Sequence, residues 1–236
     1  MFENLNEQQR EAIQTTEGPL LVIAGAGSGK TRVLTTRIAY LIEEKGIAPQ
    51  NILAITFTNK AAKEMRDRVV KMLGPIAYQI QISTFHSFGL TIMKENYAQL
   101  GYKKEFTILD SDDSLSIIKK IMKNMNLDSK AYNPKNVKNK ISSAKNEMMT
   151  PEELSRFSAC DFDEKVVEIF SEYNKKLKAN NSLDFDDLLL KPIELFNENK
   201  VNAFIECPKM RKKGKTDREI AMNVIEDDER FYTPLI

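Results

Sequence analysis

The chain has no tryptophan, a single histidine (His86) and only two cysteines, Cys160 and Cys207, among its 236 residues. The cysteines are far apart and show no CxxC spacing, so neither a disulfide framework nor a zinc site is indicated. No apolar run approaches the ~20 residues that a bilayer requires. The opening stretch, MFENLNEQQREAI, lacks the basic flank and the apolar core of a signal peptide. Neither sign of charge is in excess: 35 Lys and Arg stand against 34 Asp and Glu. What is left is an ordinary soluble composition, 42% apolar and 29% charged. It reads as a cytoplasmic protein, or a piece of one, long enough for one sizeable domain or one domain with an insertion.

The balanced total hides an uneven layout. From Lys119 to Lys145 there are eight lysines (119, 120, 123, 130, 135, 138, 140, 145) against one acid, Asp128. From Glu147 to Glu198 thirteen acids face Arg156 and five lysines. A basic stretch of this kind suits a polyanion, and a solvated helical face accounts for it equally well.

The first ninety residues alternate apolar runs with helical periodicity. Leu20–Ala24, Asn51–Phe57 and Ile80–Thr84 read as buried strands, and Lys30–Glu44 and Asn59–Leu73 as helices, the second stopped by Gly74-Pro75. Alternation of this type predicts an α/β fold with a parallel sheet. After about Ser87 the pattern turns helical, with segments near 87–100, 111–126, 134–146, 151–157, 162–180 and 184–199 and one short strand candidate at 106–109. Thr150-Pro151-Glu152-Glu153 is a capped helix start. From about residue 200 the periodicity weakens into a tail.

The stretch Ala24-Gly25-Ala26-Gly27-Ser28-Gly29-Lys30-Thr31 is a P-loop with alanine at the usual first glycine. Gly25, Gly27 and Gly29 let backbone N–H groups turn toward phosphates. Lys30 offers a cation to the β and γ phosphates, and Thr31 a hydroxyl to Mg²⁺. The motif follows a predicted strand and opens a predicted helix, as its chemistry requires. ATP and Mg²⁺ are therefore the expected ligands. Upstream, the Gln9 amide has the donor and acceptor that an adenine N6/N7 edge would meet, although a solvated glutamine is the commoner role for such a residue.

Four segments, LNEQQREAI, AGAGSGKTRVL, TFTNKAAKEM and STFHSF, resemble in order and spacing the superfamily-one DNA helicases of the UvrD/PcrA/Rep kind. LDFDDLLL at 183–190 resembles a further segment of that family. The resemblance implies a RecA-like P-loop sheet, incomplete here, with a large all-helical insertion. Residues 1–88 would begin motor subdomain 1A, 89–199 would be the helical subdomain 1B, and 200–236 a divergent tail. It also implies that Gln9 reads adenine and that Arg32 lies against the adenine ring. By the same match, Thr56, Phe57, Thr58, Asn59 and Lys60, with Thr84, Phe85 and His86, would meet single-stranded DNA. The basic face of the helical part would touch duplex at a junction. The family's activity is ATP-driven, 3′ to 5′ unwinding of DNA, in company with other repair or replication proteins. From spacing alone, burial of Phe57 and Phe85 and a core role for His86 stay open.

The acidic pair that a P-loop ATPase places after another strand is not found in its expected form. Asp228-Glu229 is the weak candidate, and an exposed acidic turn is the better account of it. The family's second motor domain also has no counterpart in this sequence. A chain truncated before its catalytic acids, unable to hydrolyse ATP or unwind DNA alone, is thus one expectation. A non-catalytic module that binds nucleotide, DNA or a helicase partner is another, and a small P-loop kinase is a third. Asp184, Asp186 and Asp187 invite a metal-site reading, but acids at a helix N-terminus serve as caps.

Overall fold

The computed structural model describes residues 2–198, so the tail, with Asp228 and Glu229, lies outside the described residues. They divide into two compact units, 2–85 and 86–198. Both are α/β and mostly helical, each with one short parallel sheet among its described residues.

In the first unit, α1 (Glu7–Gln14) starts on a capping box. The Asn6 side chain accepts from the Gln9 N–H, and the Gln9 side chain accepts from the Asn6 N–H. Helix α2 (Lys30–Glu43) follows the glycine-rich loop, and β1 (Leu53–Thr56) runs parallel to β2 (Gln81–Thr84). Between the strands lies α3 (Asn59–Leu73), which begins where the Thr58 hydroxyl accepts from the Ala61 N–H and ends at Gly74, whose φ of 66° suits glycine. Ala62, Met65 and Val69 recur at helical spacing on its buried face. They pack on Leu34 and Ile38 of α2 and on Ala54 and Ile82 of the strands. Leu53 pairs with Gln81 and Thr56 with Thr84, so both strands end level.

One expected strand is not there. Leu20–Ala24 carries no strand pairing, and Leu21 and Ile23 are 81% and 82% exposed. The apolar sequence is that of a buried strand, but strand structure needs a hydrogen-bonding neighbour. Among the described residues β1 and β2 pair only with each other.

The second unit contains α4 (Phe85–Asn96) from His86 onward, β3 (Thr107–Ile108), α5 (Ser111–Asn124), α6 (Pro134–Asn146), α7 (Pro151–Ser155), α8 (Asp161–Ala179), β4 (Ser182–Leu183) and α9 (Asp187–Glu198). Its core is the interface of α5, α6 and α8, built on Ile118, Val137, Ile141, Ile169, Phe170 and Tyr173. The Thr150–Glu153 box opens α7 with both reciprocal bonds formed. Strands β3 and β4 form a two-residue parallel ladder with Thr107 opposite Ser182. Helix α9 starts at Asp187, three residues later than the apolar pattern suggests, because Asp184 serves as its cap. The Asp184 side chain accepts from the Asp187 N–H and the Asp187 side chain from the Asp184 N–H.

Candidate nucleotide and nucleic-acid sites

The loop before α2 has the backbone of an anion cradle. Gly27 and Gly29 take φ of 75° and 84°, in the left-handed region where a side chain is strained. Gly29 is the N-cap of α2, and no side chain caps that end, so its backbone N–H groups face outward from a positive dipole end. Beside the loop is a recess of about 460 Å³ lined by Ala26, Gly27, Gly29, Lys30, Thr31, Arg32 and Arg68. A volume of this size takes a nucleotide-sized ligand. Of the seven described residues that line it, three are cationic and none is a carboxylate, which is the electrostatics of a polyphosphate site. The cradle, the cations and the Thr31 hydroxyl together fit a nucleoside triphosphate with its Mg²⁺.

The side chains around the loop hold it in shape. The Lys30 ammonium donates to the Ala24 carbonyl at 2.9 Å and to that of Gly25 at 3.3 Å. Gln9 Nε2 donates to the Ser28 carbonyl at 2.9 Å, tying α1 to the loop. The Gln9 amide keeps a second N–H and a second lone pair beyond these bonds. Arg32 reaches back to the Glu3 carbonyl at 2.6 Å while also lining the recess. Arg68, on α3, is the cation that sequence reasoning missed. Its signal is weak, an arginine in an ordinary charged helix, and only the fold brings it to the P-loop.

The second group of residues gathers at the carboxyl ends of β1 and β2. Thr56 and Thr84 are buried and paired in register, and Thr56 Oγ1 donates to the Thr58 carbonyl at 3.1 Å. The residues after them emerge together: the Phe57 and Phe85 rings lie 5.8 Å apart at 53°. Phe57 is 48% exposed, which removes the simple reading of it as a core residue. Phe85 is half-buried. Thr58 is both exposed and the cap of α3, while Asn59 and Lys60 are exposed on the first turn of that helix. The arrangement presents an aromatic pair beside polar groups at the end of a parallel sheet, where ligands of such sheets collect.

In the second unit His86 stacks on Phe185, with centroids 4.0 Å apart and planes at 22°. Phe185 remains 55% exposed. Burial pushes the His86 pKa down, and the Asp186 charge opposes that shift. Phe185 is the other residue the sequence reading passed over, because in a run of leucines and aspartates it looks like one more apolar helix position. Of the three aspartates around it, Asp184 and Asp187 are capping and ion-pairing groups and Asp186 accepts from the Ser142 hydroxyl, and no cluster of metal-ligating residues occurs among the described residues.

Of the eight lysines between 119 and 145, Lys119, Lys120, Lys123, Lys130 and Lys135 are exposed. Lys138 donates to Ser111 Oγ, Lys140 pairs with Asp163, and Lys145 is buried. The basic stretch is thus mostly a solvated face, with its last member turned into the core. No helix among the described residues is long and apolar enough to cross a membrane.

Residues 5–210 match the family described as the UvrD/REP helicase N-terminal domain. The chain is 53% identical over 197 residues to the ATP-dependent DNA helicase PcrA of Bacillus subtilis, covering 84% of this chain and 27% of that protein. It is 49% identical over 197 residues to the PcrA helicase of Staphylococcus epidermidis and 47% identical over 196 residues to that of Staphylococcus aureus. These matches cover 83% of this chain and 27% of each relative, so the chain spans about a quarter of the length of the curated relatives it matches. A P-loop at a helix N-terminus, aromatic residues at the ends of parallel strands and a match over most of its length together show that the chain belongs to the UvrD/REP helicase family.

Proposed function

We propose that this chain supplies the nucleotide grip and part of the single-stranded DNA grip of an ATP-dependent DNA helicase. The observation that carries the reading is the P-loop recess, with Lys30, Arg32 and Arg68 around an uncapped helix N-terminus. In this reading residues 1–88 begin a RecA-like motor subdomain, 89–199 form its helical insertion and 200–236 are a divergent tail. The movement would run 3′ to 5′ on junction DNA, alongside repair or replication proteins.

The loop N–H groups of Ala24–Thr31 and the Lys30 ammonium hold the phosphates of ATP, with Lys30 leaving the loop carbonyls to do so. Arg68 adds a second cation. Arg32 lies against the base, and Gln9 offers its remaining N–H and lone pair to the adenine edge while keeping the Ser28 carbonyl. Mg²⁺, held through Thr31, neutralises phosphate charge when bound. Phe57 and the His86–Phe185 stack offer faces on which bases stack, whatever their sequence. Thr58, Asn59 and Lys60 lie where a sugar–phosphate backbone would pass Phe57, and Thr56, Thr84 and Phe85 support that edge from beneath.

Among the described residues, the lining of the recess contains no carboxylate. A P-loop ATPase needs one to hold Mg²⁺ and another to orient the attacking water. In this reading the described residues hold ATP and do not themselves supply those two acids. That observation also favours the second reading, a non-catalytic nucleotide- and DNA-binding module. Steady-state ATP hydrolysis with and without single-stranded DNA, beside a Lys30→Ala control, is the test. Bound ATP with no turnover is expected. Turnover that rises with DNA and disappears in Lys30→Ala would show that acids outside the described residues, Asp228 and Glu229 foremost, complete the site.

A further inference from the structure

Residues 184–187 lead from β4 into the first residue of α9, and three of their four side chains are acidic and all three are tied down. Asp184 and Asp187 each accept from the Lys145 ammonium, at 2.7 and 2.9 Å, and each caps the other's backbone N–H. The Tyr173 hydroxyl donates to Asp184 at 3.1 Å, and Ser142 donates to Asp186 at 2.7 Å. Lys145 itself is 5% exposed and lies 5.5 Å from the centre of the Tyr173 ring. Both Ser142 and Lys145 belong to α6, so one face of one helix holds every carboxylate of this stretch.

The fourth residue of the stretch, Phe185, points the other way. It is left 55% exposed and stacked on His86. A large aromatic on a surface ordinarily has rotamer freedom, and its backbone ordinarily has some too. Here Asp184, just before it, and Asp187, two residues after it, are fixed by buried charge, and Asp186 between them is held by the Ser142 hydroxyl. A buried ion pair is a poor way to add stability, since desolvating the charges offsets most of their attraction, but it does fix geometry. We propose that Lys145 is a positioning residue for DNA binding: by clamping Asp184 and Asp187 it holds Phe185 in the stacked, outward pose that receives a base. A preorganised platform binds more tightly because less freedom is lost when the base arrives. Gly89, three residues after His86 on α4, makes a close approach to α9. A Cβ there would stand 1.9 Å from the Leu188 carbonyl, so α4 lies directly on the first turn of α9.

This inference rests on the reading of the His86–Phe185 stack as a DNA platform, and the experiment separates the two. Affinity of the whole chain for a fluorescent oligo-dT is measured for Phe185→Ala, Lys145→Met and the double variant, with ATP binding followed in parallel. Phe185→Ala is expected to weaken DNA binding about five-fold or more, the lower end of what one stacked base contributes. Lys145→Met is expected to lose a comparable factor, with ATP affinity unchanged and with little further loss in the Phe185→Ala background. That non-additivity marks action through Phe185 and would not arise from general loosening of the fold. If Lys145→Met does not fold, Asp187→Asn, which removes one carboxylate charge at nearly constant shape, is carried through the same cycle. Additive losses, or no loss from the clamp variant, would overturn the clamp and leave the platform standing. No loss from Phe185→Ala would overturn the platform itself.

Discussion

His86 is the chain's only histidine, half-buried, with its ring against Phe185. Burial lowers its pKa, so the folded protein holds fewer protons at this site than the unfolded chain, whose value is about 6.5. The stabilising contribution is therefore present above about pH 6.5 and is lost as the pH falls through the folded value. Melting temperature measured at pH 7.5 and at pH 5.5 should drop on acidification, and the drop should be smaller in His86→Phe, which keeps an aromatic ring and removes the proton site. An equal drop in both would assign the acid sensitivity to other groups. At this scale the sequence was legible where a residue's role is local. Lys30 opens α2 where the sequence pattern starts that helix, and Thr58 and Asn6 cap the helices that follow them. Arg68, Phe185 and Lys145 were not legible, because each acquires its setting from elements distant in sequence.

Helix α3 begins and ends where its cap and its Gly74 stop say it should. The helix α9 pattern, by contrast, extends upstream of the helix itself, because Leu183 belongs to β4 and Asp184 to the cap. Strand β4 escaped notice for the same reason: two residues carry no periodicity, and the ladder to β3 is a tertiary contact. Helix α1 escaped notice because LNEQQREAI reads first as a polar motif, with Ile13 as its one buried residue. The contact of α4 with α9 makes a prediction about elements. Gly89→Ala puts a methyl group into the Leu188 carbonyl, a backbone atom that cannot swing aside. It should destabilise the second unit by about 1–3 kcal/mol, the usual range for overpacking, read as a lower denaturant midpoint at unchanged slope. A neutral outcome would mean that α9 shifts without cost, and that the turn before it is less fixed than Lys145 makes it.

For the whole molecule, the informative feature is the exposed run Leu20–Ile23 in front of the P-loop. Its sequence has the apolar continuity of a central parallel strand, yet among the described residues the sheet of this unit has two strands, neither of which pairs with it. The alternation of strand and helix was readable; the run's want of a neighbour was not, since pairing is settled by the rest of the sheet. Apolar surface of this kind drives association. Concentration-dependent self-association is expected in sedimentation velocity, and Leu21→Lys with Ile23→Lys should reduce it. If the double variant associates as strongly as the parent, another surface is responsible.

The central claim is that one chain of this helicase family carries two separable grips, a P-loop for nucleotide and an aromatic edge for DNA. The most direct measurement is equilibrium binding of a fluorescent ATP analogue and of oligo-dT to the parent, Lys30→Ala and Phe57→Ala proteins. Lys30→Ala should abolish nucleotide binding and leave DNA affinity near that of the parent. Phe57→Ala should weaken DNA binding by the ~1–3 kcal/mol that a stacked base contributes and leave nucleotide binding nearly intact. Equal loss of both ligands in both variants would contradict the two-grip account and point to misfolding of the unit instead.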